Sequence, residues 1–190
     1  EVPRKGEKPV TLRHLATHTS GLPRMPPDFR PEDPKDPYAH YDAALLCKSV
    51  AASSLVTAPG ERYAYSNLGM GLLGHVLARV AETPYETLVR ERILEPLGMK
   101  DSGIALSEAL QKRFAPGHLR DGTPAGPWDF GAVAGAGALR STTDDMLPFL
   151  EACLKGGEKG LGQSLATALE RHAEPVGQPV KMGLGWHFGN

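Results

Sequence analysis

Apolar positions spaced three and four apart recur along most of the chain, so its pattern predicts helices. The clearest run is Leu68, Leu72, Leu73, Val76, Leu77 and Val80. It forms one face of an amphipathic helix from Leu68 to Ala81, with Ser66 or Asn67 placed to cap the first turn. Thr83-Pro84-Tyr85-Glu86 then reads as a capping box with proline at the first helical position. Tyr85, Leu88, Val89 and Ile93 make the face of that helix, and Pro96 stops it. Further helices are expected at Thr11 to Thr19, at Tyr41 to Ala52, near Asp145 to Leu154 and at Gln163 to Ala173. The start near Asp145 is contested: Thr142 with Asp145 forms a capping box, yet Pro148 would then sit beyond the first turn at a cost of about 3 kcal/mol. That helix either begins later or kinks. Loops rich in proline and glycine cover Leu22 to Pro37 and Pro116 to Gly137, and no internal repeat interrupts the series.

The two ends differ from the middle. Glu1 to Lys8 is charged and contains proline, and residues 1–10 read as a linker or truncated start with no basic-then-apolar leader. Gly183 to Asn190 begins a strand-like alternation and stops without a polar tail, as a chain breaking off inside a sheet would. The whole reads as a middle segment.

Composition narrows the classes of partner. The 190 residues carry 21 Lys+Arg against 22 Asp+Glu, a net charge of −1, so no global field gathers polyanions and nucleic acid is not an expected partner. No apolar run approaches the roughly 18 residues a bilayer span needs. The 22 glycines and 17 prolines, about a fifth of the chain, imply long ordered loops. Cys47 and Cys153 are far apart, each within an apolar helical pattern, which excludes a disulfide scaffold and reads as two buried free thiols.

Three strings carry candidate chemistry. Gly69-Met70-Gly71-Leu72-Leu73-Gly74 matches a dinucleotide fingerprint, but the preceding Pro59 to Ser66 is polar and turn-like where that site needs a buried strand, so the glycines read as allowing close helix packing. His14 and His18 lie one helical turn apart, a zinc-pair spacing; Leu15 stands where a metalloprotease carries its glutamate and no third ligand follows. Those histidines read as structural, with the helix ending at Ser20-Gly21, glycine in a left-handed cap and His18 in the last turn. Finally, Tyr65 and Asn67 sit two apart on a loop entering a helix, where side chains can face a cleft while the helix holds them rigid. Alone, the same pair is equally a packing aromatic and an N-cap.

Wider context favours chemistry for that pair. Thr11-Leu12-Arg13-His14-Leu15-Ala16-Thr17-His18-Thr19-Ser20-Gly21-Leu22-Pro23 resembles the element after the nucleophile region in class C β-lactamases, their D-Ala carboxypeptidase relatives and the esterases on that fold. Pro59 to Gly69 resembles the family's Tyr-x-Asn motif and its approach, and Pro96 to Ser102 its post-helix turn. Gly137 to Thr142 with Asp145-Met146 resembles the start of a later helix, and Gly183 to Trp186 the return into the sheet. The resemblance implies that residues 11–190 are the central, mainly α part of an α/β β-lactamase/transpeptidase-like domain, with short strand elements at the C-terminal end. The sequence contains no Ser-x-x-Lys, no Lys-Thr-Gly and no Gly-x-Ser-x-Gly, so the family's nucleophile is expected outside it.

By the same resemblance Tyr65 and Asn67 are catalytic residues. Tyr65 would relay the proton of an attacking serine, and Asn67 would bind the substrate's amide carbonyl and steady the nucleophile's lysine. A free phenol ionises near pH 10, so a tyrosinate at neutral pH costs about 4 kcal/mol, to be supplied by positive neighbours. In the family these are lysines of motifs missing here; within the sequence only Arg62 is close in chain position. No metal or organic cofactor is implied, the partner is a small-molecule or peptide substrate, and the family leans to a periplasmic or extracellular place. The rival reading is a binding protein that kept the fold and lost the chemistry.

Overall fold

The computed structural model describes residues 1–188; Gly189 and Asn190, the end of the expected alternation, lie outside them. The order is α1 (Leu12–Ala16), α2 (Ala43–Ala52), α3 (Asn67–Val80) and α4 (Tyr85–Val89), which runs on into a π-turn at Arg90–Leu94. Next come α5 (Glu108–Gln111), strands β1 (Gly117–His118) and β2 (Pro124–Ala125), a 3₁₀ segment Gly131–Ala136, α6 (Thr143–Lys155), α7 (Gly160–Ala168) and strands β3 (Lys181–Met182) and β4 (His187–Phe188). Both strand pairs are antiparallel two-stranded ribbons. Helices therefore dominate, and β3–β4 is the strand element at the C-terminal end. Pro116 to Gly137, expected as loop, holds β1, β2 and the 3₁₀ segment, elements too short for any periodicity to mark.

The main core lies where α1, α2 and α3 meet the 3₁₀ segment. Leu46 and Leu68 are fully buried there, with Leu22 and Val133 beside them. The glycines of α3 make this approach: a Cβ on Gly71 would stand 2.7 Å from the Val133 side chain, and one on Gly74 3.0 Å from Gly135 Cα. Close approach of α3 to the 3₁₀ segment is what Gly71 and Gly74 serve, against the Val133 side chain and the Gly135 backbone.

Several helix ends differ from expectation. The helix α1 starts at a capping box, Thr11 N donating to His14 Nδ1, and closes after Ala16 with Thr17 as its C-cap. His18 is thus outside the helix and itself takes the left-handed conformation at φ 52°. Gly21 is left-handed too, but it stands in the loop beyond and ends no helix. At α4 no capping box forms: Pro84 is the cap residue, and Glu86 Oε1 instead accepts from Ile104 N and Ala105 N across a loop. The helix α6 starts earlier than Asp145, with Thr142 as its cap, and runs through Pro148. The helix α7 ends at Ala168, short of Ala173, whose N–H donates to Met182 O instead. Cys153 is buried in α6, whereas Cys47 is exposed on α2, so only one of the two thiols is a core group. No described helix is long and apolar enough to cross a membrane.

Candidate active site

Position 66 decides what its neighbours are free to do. Ser66, extended at φ −138°, is the N-cap of α3: its Oγ accepts from Gly69 N at 2.8 Å and donates to Pro23 O at 2.7 Å. Asn67 is therefore the first helical residue, not the cap. Ser66 is 1% exposed, so Ser66→Ala strips a buried donor and a buried acceptor of their partner at once. We expect it to cost about 2 kcal/mol, read as a lower urea midpoint with an unchanged m-value.

The approach to that cap is held from behind by residues 17–20. Thr17, Thr19 and Ser20 are nearly fully buried because their short hydroxyls find local partners: Thr17 Oγ1 donates to Arg13 O, and Ser20 Oγ accepts from Leu22 N. The backbone of this stretch then offers acceptors to the incoming loop, Thr19 O to Gly60 N and His18 O to Ala64 N, both at 2.8 Å. His18 Nδ1 accepts from Ser66 N at 3.2 Å. Two bonds from one residue thus bracket Tyr65.

The Tyr65 ring lies on the His18 imidazole, centroids 4.5 Å apart and planes tilted 33°. It is 39% exposed, and none of the described residues hydrogen-bonds its hydroxyl. Arg24, not Arg62, is the nearby cation, its Cζ 5.2 Å from the ring centroid. The Arg24 carbonyl accepts from Asn67 N at 3.0 Å, so the turn carrying this cation is fastened to the start of α3. Among the described residues Asn67 Nδ2 reaches only Met25 Sδ, at 3.6 Å, a weak acceptor that a carbonyl oxygen outcompetes. Behind the pair, Tyr63 is clamped by Gln178, which accepts from its N–H and donates to its carbonyl, and Tyr63 Oη meets His187 Nε2 at 2.8 Å.

Burial, helped by the charge of His187, lowers the His18 pKa to about 4. The ring is therefore neutral at neutral pH, and since Nδ1 accepts, its proton sits on Nε2. Burial pushes the Tyr63 phenol up. Among the described residues no group of three or more His, Cys, Asp or Glu side chains could hold a metal; His14 Nδ1 accepts from Thr11 N and His18 Nδ1 from Ser66 N.

Sequence reasoning named Tyr65 and Asn67 at the entry to α3 but did not place His18, Arg24, Met25, Gln178 or His187 around them. A run of small hydroxyls flanking His18 in an otherwise apolar neighbourhood was the one local signal. Arg24 and Gln178 lie 41 and 113 positions from Tyr65 and carried none.

Comparison with known proteins adds an independent finding. The family model described as Beta-lactamase matches residues 1–190. The D-alanyl-D-alanine-carboxypeptidase/endopeptidase AmpH of Escherichia coli (strain K12) is 31% identical over 198 residues, covering 98% of this chain and 50% of its own. Esterase EstB of Burkholderia gladioli is 30% identical over 218 residues, covering 97% and 54%. The crystal structure of a beta-lactamase/D-alanine carboxypeptidase from Yersinia pestis, complexed with citrate, superposes with a TM-score of 0.73 at 29% identity, covering 98% of this chain and 55% of that one. The fold is thus β-lactamase/transpeptidase-like, and the chain spans about half the length of these relatives.

Proposed function

The chain belongs to the Beta-lactamase family, and from that premise we propose that it supplies the central, mainly helical part of a serine acyl hydrolase, residues 11–190, preceded by a linker at 1–10. The complete form cleaves a β-lactam, a D-Ala peptide or a small ester through an acyl-serine intermediate. Its nucleophilic serine and partner lysine stand outside this sequence.

In this reading Tyr65 enters as the phenolate: the serine oxygen attacks the acyl carbon, its proton passes to the Tyr65 oxygen to give the neutral phenol, and Tyr65 returns that proton to the departing group. Water then hydrolyses the acyl-serine. Asn67 donates through Nδ2 to the substrate's carbonyl and accepts through Oδ1 from the nucleophile's lysine. What carries the reading is the state of the pair at the head of α3: Ser66 does the capping, so Asn67 is left with a weak sulfur contact, and Tyr65 is anchored by its ring with its hydroxyl uncommitted. Arg24 lies over the ring with its Cζ 5.2 Å from the centroid and steadies the ring by a cation–π contact.

The 190-residue chain alone is expected to turn over neither a chromogenic cephalosporin nor a short-chain nitrophenyl ester, since it has no Ser-x-x-Lys. Hydrolysis of either compound above a Tyr65→Phe control contradicts the assignment of the nucleophile to a segment outside this chain.

A further inference from the structure

Relay chemistry needs the phenol held at one place, and the arrangement around Tyr65 shows what holds it. Three contacts converge on one residue, two of them on its side chain. His18 O accepts from Ala64 N at 2.8 Å, His18 Nδ1 accepts from Ser66 N at 3.2 Å, and between those two anchors the Tyr65 ring rests on the imidazole at 4.5 Å. His18 is 5% exposed and left-handed at φ 52°, a conformation that glycine or asparagine adopts more readily. Neither alternative carries a flat ring together with an acceptor nitrogen at its edge. We propose that His18 is the positioning residue of Tyr65: its ring is the floor on which the phenol is oriented, and its Nδ1 locks the peptide that follows.

The proposal rests on the reading of Tyr65 as the relay only for its catalytic consequence; the positioning itself is a property of this chain. The titratable groups facing His18 are Tyr65 on its face, Tyr63 edge-on at 5.9 Å and His187 at 6.2 Å from the strand side. Arg24 reaches the Tyr65 ring. No described carboxylate pairs with the imidazole, so nothing offsets a second ring proton. Protonation puts a donor at Nδ1 against the Ser66 N–H and breaks the lock. The lowered pKa, about 4, places that event well below neutrality.

Two substitutions separate floor from lock. His18→Asn tolerates the left-handed backbone and keeps an acceptor for Ser66 N–H but removes the ring. His18→Phe keeps a ring and removes the acceptor. The test is the NMR spectrum of the isotope-labelled 190-residue chain. At pH 7 His18→Asn is expected to move the Tyr65 ring protons downfield while the Ser66 amide stays near its place; His18→Phe should do the reverse. If either variant does not fold, the unaltered chain is titrated instead. Its His18 nitrogens should show the Nε2–H tautomer, and the Ser66 amide and Tyr65 ring protons should shift together with a midpoint near pH 4 while the Leu165 amide in α7 stays still. Unmoved Tyr65 resonances in both variants, or a Ser66 amide indifferent to His18 protonation, overturn the proposal.

In a protein carrying this segment together with its nucleophile, His18→Asn should lower kcat at least 10-fold with KM unchanged. Displaced Tyr65 resonances with an unchanged kcat uphold the positioning and instead strike the relay role of Tyr65, so the two failures are told apart.

Discussion

Tyr65→Phe is expected to slow acylation by roughly 10² to 10⁴ in a protein that carries this segment with its nucleophile, the usual contribution of a positioned general acid-base group. Melting should barely change. The ring keeps its contact with His18, and the hydroxyl removed is bonded by none of the described residues, so even the roughly 1 kcal/mol net value of a hydrogen bond is an upper limit. Stability and rate therefore separate at this position. The same separation extends to Asn67. Because Ser66 is the cap, Asn67→Ala does not uncap α3, and its expected loss of rate reads the substrate contact directly. Asn67→Asp keeps shape and suits the positive end of the helix, yet it cannot donate to a carbonyl; it should melt like the unaltered chain and acylate slowly. Acylation rates and melting curves on the three variants check all of this.

The other large effect is structural. Gly21 is left-handed at φ 77°, and a Cβ there would collide with the Thr57 carbonyl, while its own carbonyl accepts from Val56 N at 2.8 Å. Two backbone segments meet at this point with no room for a side chain. Gly21→Ala adds the left-handed penalty of about 1–2 kcal/mol to a displacement of backbone that cannot rotate away, for an expected loss of about 3 kcal/mol or more. In a chain of this size that is on the order of 10 °C in Tm. Gly98→Ala is the control. Gly98 has a similar φ of 69° but nothing within 4 Å of the added carbon, so only the conformational penalty of about 1–2 kcal/mol applies. Equal losses at the two positions contradict the collision.

These contrasts show what could be read before the fold was known. The helix α3 was legible almost to the residue, because a run of apolar positions and a cap both act locally, within one or two turns. The short elements were not: α5 has 4 residues and β1 has 2, too few for any period. The capping box at Thr83 failed because Glu86 had a better use, closing two backbone N–H groups at Ile104 and Ala105, and no local rule weighs a distant competitor. Gly21 was marked as left-handed for the wrong reason, a helix end rather than a crossing of two backbone segments. In the candidate site, Tyr65 and Asn67 were visible as a string, whereas their surroundings came from elsewhere in the chain. Arg24, distant in the chain, is the cation at the Tyr65 ring, and His18, read as a helix-end residue, is the ring beneath it.

The central claim is that Tyr65 serves a serine lying outside this chain, and intact-mass analysis after exposure to a β-lactam or an activated ester tests it most directly. A protein that carries this segment together with its nucleophile should gain one acyl group on a serine beyond these 190 residues, and its Tyr65→Phe variant should gain it at least 100-fold more slowly. An acyl adduct on the 190-residue chain by itself, or equal rates with and without the Tyr65 hydroxyl, contradicts the account.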